Sequence, residues 1–298
     1  MKPQLLKIAV IVTALFVNSV ALADRVSDKD RLKISAIEAL MVAPQERSLP
    51  VLKKVMASDN STVVKERALF VLGQIDHPDA LAIILGTARD NSSPLQGAAI
   101  RTIGISGDAT AMAQLSTIFS SGSRAAQKKV LEAYLIAGDA DAILNAALET
   151  SDDEIFDVAV SRLGAMGALE QLKQLRGKTG TTRSLIQAYA ISGDVESLLL
   201  IARDSSNPEQ QIQAIQSLGI ARSESDKGEM FMRIYRENDR MDVRRAVMHG
   251  MMLSGDDTGL LTLFEESDNE EEKTMLLRQL VMMDSDAAIE AIDKALAE

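Results

Sequence analysis

The chain of 298 residues has no cysteine and no tryptophan, six prolines, two histidines and only 3% aromatic residues. Without cysteine there is no disulfide, no thiolate metal site, no thiol nucleophile and no lipid-attachment cysteine. Two histidines, His77 and His249, fall in different parts of the sequence and leave little for metal ligation or general base chemistry. No GxSxG elbow, HExxH, P-loop or dinucleotide glycine fingerprint occurs. The Asp-rich turns lack the spacing of a calcium loop. Apolar runs are short as well. Ile8 to Val17 spans about ten residues, half of what a bilayer-crossing helix needs.

What is present is a repeat. Gly107-Asp108, Gly138-Asp139, Gly193-Asp194 and Gly255-Asp256 each separate two apolar helical patterns, and nearly the same step of about thirty residues lands on Asp76-His77, Gly167-Ala168, Ser225-Asp226 and Asp284-Ser285. Counting back from each turn gives paired apolar positions such as Ala68-Leu69, Ala99-Ile100, Val130-Leu131, Ala214-Ile215 and Ala246-Val247. Counting forward gives Leu52, Ile143, Leu172, Leu198 and Leu260, with a further apolar residue three positions on. Only Arg233 interrupts that column. An i, i+3 spacing on both sides of a turn is one face of each helix in an antiparallel pair, not the period of two that a strand requires.

The turns carry their own chemistry. Glycine supplies a left-handed backbone to end one helix, and aspartate supplies an oxygen for the free amides of the next. Ser61, Ser93, Ser123, Asp152, Asn207, Asp239 and Asp268 read as helix starts between units, and His77 as a turn residue opening a helix. No proline falls mid-helix in this register. Gly73, Gly104, Gly164 and Gly219 lie late in first helices, where a missing side chain allows close approach to the partner helix.

The unit Val64-Lys65-Glu66-Arg67-Ala68-Leu69-Phe70-Val71-Leu72-Gly73, followed by Asp76-His77-Pro78-Asp79-Ala80-Leu81, resembles the HEAT repeat, in the short HEAT-like form also found in the phycocyanobilin lyases; Val243 to Val247 is similar to the start of the same consensus. The resemblance implies an all-α fold, an α-solenoid forming a right-handed superhelix of about nine antiparallel helix pairs. It implies function only generically, because such repeats hold many unrelated partners.

Residues 1–23 read as a signal peptide: Lys2 and Lys7 precede the apolar stretch, and Ala21-Leu22-Ala23 supplies the small residues of a cleavage site. Cleavage after Ala23 would release a periplasmic chain, 24–298, expected to be one elongated domain with a bend near 176–183, where two glycines coincide with a shortened repeat step. The formal charge of −11, or −13 without the two leader lysines, disfavours nucleic acid and anionic membranes as partners. The reading is a non-catalytic scaffold without cofactor, a monomer or weak oligomer that binds another protein. The alternatives are an accessory or lyase-like enzyme, suggested by the HEAT-like lyases, and a copper binder using the methionines crowded between Met230 and Met283. Arg233, Arg236, Arg240, Arg244 and Arg245 form a basic patch followed by Glu265, Glu266, Glu270, Glu271 and Glu272. These five arginines are the candidate partner-binding residues, and exchanging them for glutamate is expected to abolish capture without unfolding the chain.

Overall fold

In the computed structural model, the described residues are 27–180, 182–221, 227–284 and 286–297. The expected signal peptide, residues 1–23, the Ser225-Asp226 turn, Thr181 in the expected bend, and Ser285 lie outside them. The described residues form helices and connecting turns without strands, in two compact units, one ending at Ala137 and the other beginning at Gly138.

The first unit contains α1 (Asp28–Ala39), α2 (Gln45–Ala57), α3 (Thr62–Leu72), α4 (Pro78–Arg89), α5 (Gln96–Ser106), α6 (Ala109–Met112), α7 (Leu115–Ser121) and α8 (Arg124–Ala137). Helices α1, α3, α5 and α8 form one layer, each packed on the next, and α2, α4 and α7 each lie against the first-layer helix that follows. The second unit repeats the scheme. Its helices are α9 (Ala140–Glu149), α10 (Asp153–Met166), α11 (Leu169–Thr179), α12 (Arg183–Ser192), α13 (Val195–Arg203), α14 (Pro208–Ile220), α15 (Lys227–Arg236), α16 (Met241–Ser254), α17 (Asp257–Glu266), α18 (Glu270–Met283) and α19 (Asp286–Ala297). Here α10, α12, α14, α16 and α18 form the first layer. Each unit is an all-α solenoid of stacked antiparallel helix pairs.

The turns close as their chemistry requires. Gly107, Gly138, Gly193 and Gly255 all have positive φ, between 63° and 80°, and Asp284 takes the same left-handed conformation where no glycine stands. The aspartate that follows each glycine caps the next helix: Asp108, Asp139, Asp194 and Asp256 accept from backbone amides of Ala111, Ala142, Ser197 and Gly259 at 2.7 to 3.1 Å. His77 opens α4 through its Nδ1, which accepts from the Asp79 amide at 3.1 Å. Asn207 caps α14 ahead of Pro208. Proline departs from expectation once. Pro50 sits inside α2, where the carbonyl it leaves without a donor belongs to Glu46, in the exposed first turn.

The apolar columns form the core of each unit. Ala68-Leu69, Ala99-Ile100 and Val130-Leu131 are buried in the first, and Ala159-Val160, Leu185-Ile186, Ala214-Ile215 and Ala246-Val247 in the second, with Leu172, Leu198, Leu260 and Leu263 beneath them. The glycines serve a different contact from the expected one. A Cβ on Gly104 would stand 2.6 Å from the Ala133 carbonyl oxygen, one on Gly164 2.9 Å from the Ala188 Cα, and one on Gly219 2.9 Å from the Gly250 oxygen. Each neighbour is the first helix of the following repeat, not the hairpin partner.

Replacing Gly104 by Ala is therefore expected to cost about 1–3 kcal/mol through forced displacement of α8, even though alanine favours a helix by ~1 kcal/mol. Gly86 in α4 has open space around it, so Gly86→Ala should be neutral or stabilising by up to ~1 kcal/mol. Urea unfolding of the two variants checks the contrast.

Candidate protein-binding surface

Four of the five arginines of the basic patch are engaged by carboxylates of the same chain. Arg233 on α15 donates from Nε to Glu237 at 2.8 Å, Arg236 donates to both oxygens of Glu266 on α17 at 2.8 and 3.0 Å, and Arg240 pairs with Asp242. The acidic run after the patch is thus in part its internal counter-charge. Arg233 does not interrupt the apolar column. Phe231 and Ile234 fill the core of that repeat, and Arg233 is exposed beside them. Counting from the Ser225-Asp226 position sets the register one residue early because this connection is longer than the others.

Arg244 holds a part-buried polar assembly. Its Nη1 donates to Glu272 at 2.7 Å, its Nε to the Asn238 carbonyl at 2.7 Å, and its guanidinium lies 4.9 Å from the centroid of the Tyr235 ring. Glu272 is 4% exposed and also accepts from Ser267 Oγ at 2.9 Å. Burial pushes the Glu272 carboxyl up, but the hydrogen bonds from Arg244 and Ser267 and the arginine charge outweigh it and hold the group below its ordinary value. Burial, with the nearby Glu272 charge, pushes the Tyr235 phenol up to about 12. The cluster ties α15, α16 and α18 together. Exchanging Arg244 for glutamate would set two carboxylates against each other in a buried site, so the full five-residue charge swap is not structurally silent.

Other cross-repeat polar pairs carry the same spacing. Lys53 bonds Asp79, Arg101 bonds Glu132, Gln171 bonds Asp141 and Lys294 bonds Glu265, each joining successive repeats within a unit. Three glutamines recur three positions before the buried apolar pair: Gln96, Gln127 and Gln211 donate to the carbonyls of Ala88, Phe119 and Ala202 at 3.0 to 3.1 Å, closing the end of the preceding helix. The shared spacing of these glutamines was readable in the sequence.

Arg245 differs from its neighbours. It lines a groove of about 460 Å³ between α16 and α18 together with Met248, Glu271, Thr274, Met275, Arg278 and Gln279. Among the described residues, neither Arg245 nor Arg278 makes a hydrogen bond or ion pair. Met248 and Met251 are core residues, while Met275 faces the groove and Met282 is exposed. His77 belongs to the first unit and His249 to the second. Among the described residues no group of three or more His, Asp or Glu side chains is placed to hold a metal ion, and no helix is long and apolar enough to cross a membrane.

Residues 49–135 match the HEAT repeats family. No curated protein matches the chain. Among solved structures it is similar to the complex of CpcE and CpcF of phycocyanin lyase from a Nostoc species, at 16% identity and a TM-score of 0.29, over 81% of this chain and 91% of that one. A likeness at that level carries no argument about what this chain binds or acts on. It does correct one expectation. The chain was read as not an enzyme because no catalytic motif is present, yet a protein it resembles is a lyase, so the lack of a familiar motif excludes nothing about catalysis.

Removing Arg244 strands Glu272 as a buried, uncompensated charge, so Arg244→Ala should cost about 3 kcal/mol, near the low end for a buried pair because the arginine keeps some exposure. Arg236→Ala, losing an exposed pair, should cost ~1 kcal/mol or less. Because the folded state depresses the Glu272 pKa, its contribution is intact above the ordinary carboxylate value and lost as pH falls through the folded one. Glu272→Gln should accordingly flatten the acid limb of stability against pH, measured as urea midpoints between about pH 5 and 2.

Proposed function

We propose that the chain is a protein-binding scaffold, exported to the periplasm after cleavage behind Ala23, whose stacked repeats hold an extended segment of another protein. Repetition is the observation that carries this reading. The same helix pair, with the same glycine turn, aspartate cap and cross-repeat polar bonds, recurs through both units, and a surface that repeats at each step matches a ligand that itself extends over several steps. Of the five arginines of the basic patch, Arg245 is the one whose guanidinium is left for a partner, since the other four are held within the chain. The low aromatic content means that arginine, leucine, isoleucine and methionine must supply the anchors that tyrosine and tryptophan supply elsewhere.

The test is capture followed by reconstitution. Residues 24–298, immobilised and exposed to periplasmic extract, should retain a protein that re-forms a saturable complex from purified components; if no retained protein does so, the scaffold reading fails. Intact-mass measurement of the protein from the periplasmic fraction should give a chain beginning at Asp24. A chain retaining residues 1–23, or one found only in the cytoplasm, would refute the export.

A further inference from the structure

The first-layer helices of the second unit carry two parallel rows of side chains. Ile191 on α12, Ile220 on α14, Leu253 on α16 and Met282 on α18 are 61%, 64%, 43% and 71% exposed, although each is a large aliphatic residue near the end of its helix. One helical turn earlier stand Gln187, Gln216, His249 and Arg278. Positions four apart share a helix face, so each polar residue lies beside the aliphatic one on its own helix. The four helices pack in succession, and Leu253 reaches toward α14, its Cβ standing 3.2 Å from where a Cβ on Gly219 would be. At 8–10 Å per packed helix the rows run about 25–30 Å, the length of some eight extended residues.

The acidic side chains of these four helices are confined to their first turns, at Glu209, Asp242 and Glu270 to Glu272. Beyond their first turns, α12, α14, α16 and α18 contain no aspartate or glutamate, although the protein as a whole carries −11. Glu271, in the first turn of α18, is the carboxylate bordering the groove. Among the described residues, Gln187, Gln216, His249, Arg245 and Arg278 make no hydrogen bond or ion pair. That contrasts with Arg233, Arg236, Arg240 and Arg244, each held by a carboxylate. An aliphatic row left in water, flanked by cationic and amide side chains that no group of the chain holds, is a surface open to a ligand of complementary chemistry.

We infer that this face binds an extended, acidic peptide segment of a partner protein, its aliphatic side chains laid along Ile191, Ile220, Leu253 and Met282 and its carboxylates met by Arg278 and Arg245. The assignment rests on the scaffold reading and specifies its surface and the chemistry of its partner. Arginine supplies paired donors that fit a carboxylate, and the glutamines supply amides able to bond a peptide backbone. Acidic character distinguishes this ligand from other polypeptides, and its aliphatic residues distinguish it from a simple polyanion. A nucleic acid has no side chain for the aliphatic row.

Fluorescence anisotropy with two labelled synthetic peptides tests the inference on the chain 24–298: a twelve-residue peptide alternating Glu and Leu, and the same peptide with Lys for Glu. The acidic peptide should bind and the basic one should not. Binding should weaken as salt rises from low ionic strength to 0.5 M, where charges more than a few ångströms apart are screened. The double charge reversal Arg245→Glu with Arg278→Glu should weaken binding about tenfold or more, and Ile191→Ser with Ile220→Ser should do likewise at unchanged helicity by circular dichroism. Equal binding of both peptides, no binding of either, or binding indifferent to these four substitutions would overturn the inference. So would attachment to anionic phospholipid vesicles in place of the peptide, or a dimer in sedimentation that the arginine reversals dissolve. If a partner captured from extract re-forms its complex equally well with the four-fold variant, this surface is wrong while the scaffold stands; if the parent chain captures nothing, the scaffold itself falls.

Discussion

Everything in the fold depends on how closely one first-layer helix can approach the next. At Gly104 against Ala133, Gly164 against Ala188 and Gly219 against Gly250, backbone meets backbone with no room for a side chain. That contact fixes the step from repeat to repeat, and the step determines which side chains are buried between layers and which are turned outward. The buried pairs such as Ala99-Ile100 and Ala214-Ile215 occupy the space behind these contacts, small residue and branched residue side by side. A helix that could not come so close would leave voids beneath Leu172, Leu198 and Leu263, and voids in a core cost stability in proportion to their volume.

A close-packed first layer also explains where polar groups are placed. Second-layer helices are held by longer reaches: Lys53 to Asp79, Arg236 to Glu266, Lys294 to Glu265, and glutamines closing the ends of preceding helices. Exposed pairs of this type contribute little energy each, so they set register more than stability. The exception is Arg244 with Glu272 and Tyr235, where burial makes both charges dependent on each other. The arginine patch is therefore divided by the fold: Arg236 and Arg244 bridge repeats, Arg233 and Arg240 pair with neighbours in sequence, and Arg245 lines the groove between α16 and α18.

The all-helical repeat was legible in the sequence because its signals are local. A glycine followed by aspartate both ends and begins a helix, and Gly107-Asp108, Gly193-Asp194 and Gly255-Asp256 do so here. Apolar columns aligned from those turns fell on buried residues through the middle repeats, such as Ala99-Ile100, Ile143, Leu172 and Leu198, but Ala39-Leu40 at one end and Ile289 at the other are not buried. Where the connection lengthens, before α15, the count slipped by one, and Arg233 was placed in a core position that Phe231 and Ile234 occupy. Pro50 was misjudged for a related reason: the first turn is set by Pro44 and α2 starts at Gln45, earlier than the spacing implied. The candidate site was less legible. Charges clustered along the sequence looked like a binding patch, but local bonds of Arg233 and Arg240 and bonds about thirty residues apart of Arg236 and Arg244 consume most of them. Residues that share a face of four successive helices, such as Gln187, Gln216, His249 and Arg278, are separated by a full repeat, and the overall acidity of the chain hides the absence of acid among them.

Native-state hydrogen exchange tests the central claim most directly. If the close first-layer contacts hold each unit together, the slowest amides will lie in the middles of those helices, around residues 100–104 and 130–134 in the first unit and 160–164, 186–190, 215–219 and 247–251 in the second, exchanging only with opening of several repeats. The second-layer helices, which pack on the first layer but touch one another less closely, will exchange through smaller openings. Slowest exchange in α4, α11 and α17, with the first-layer helices opening independently, would contradict the account.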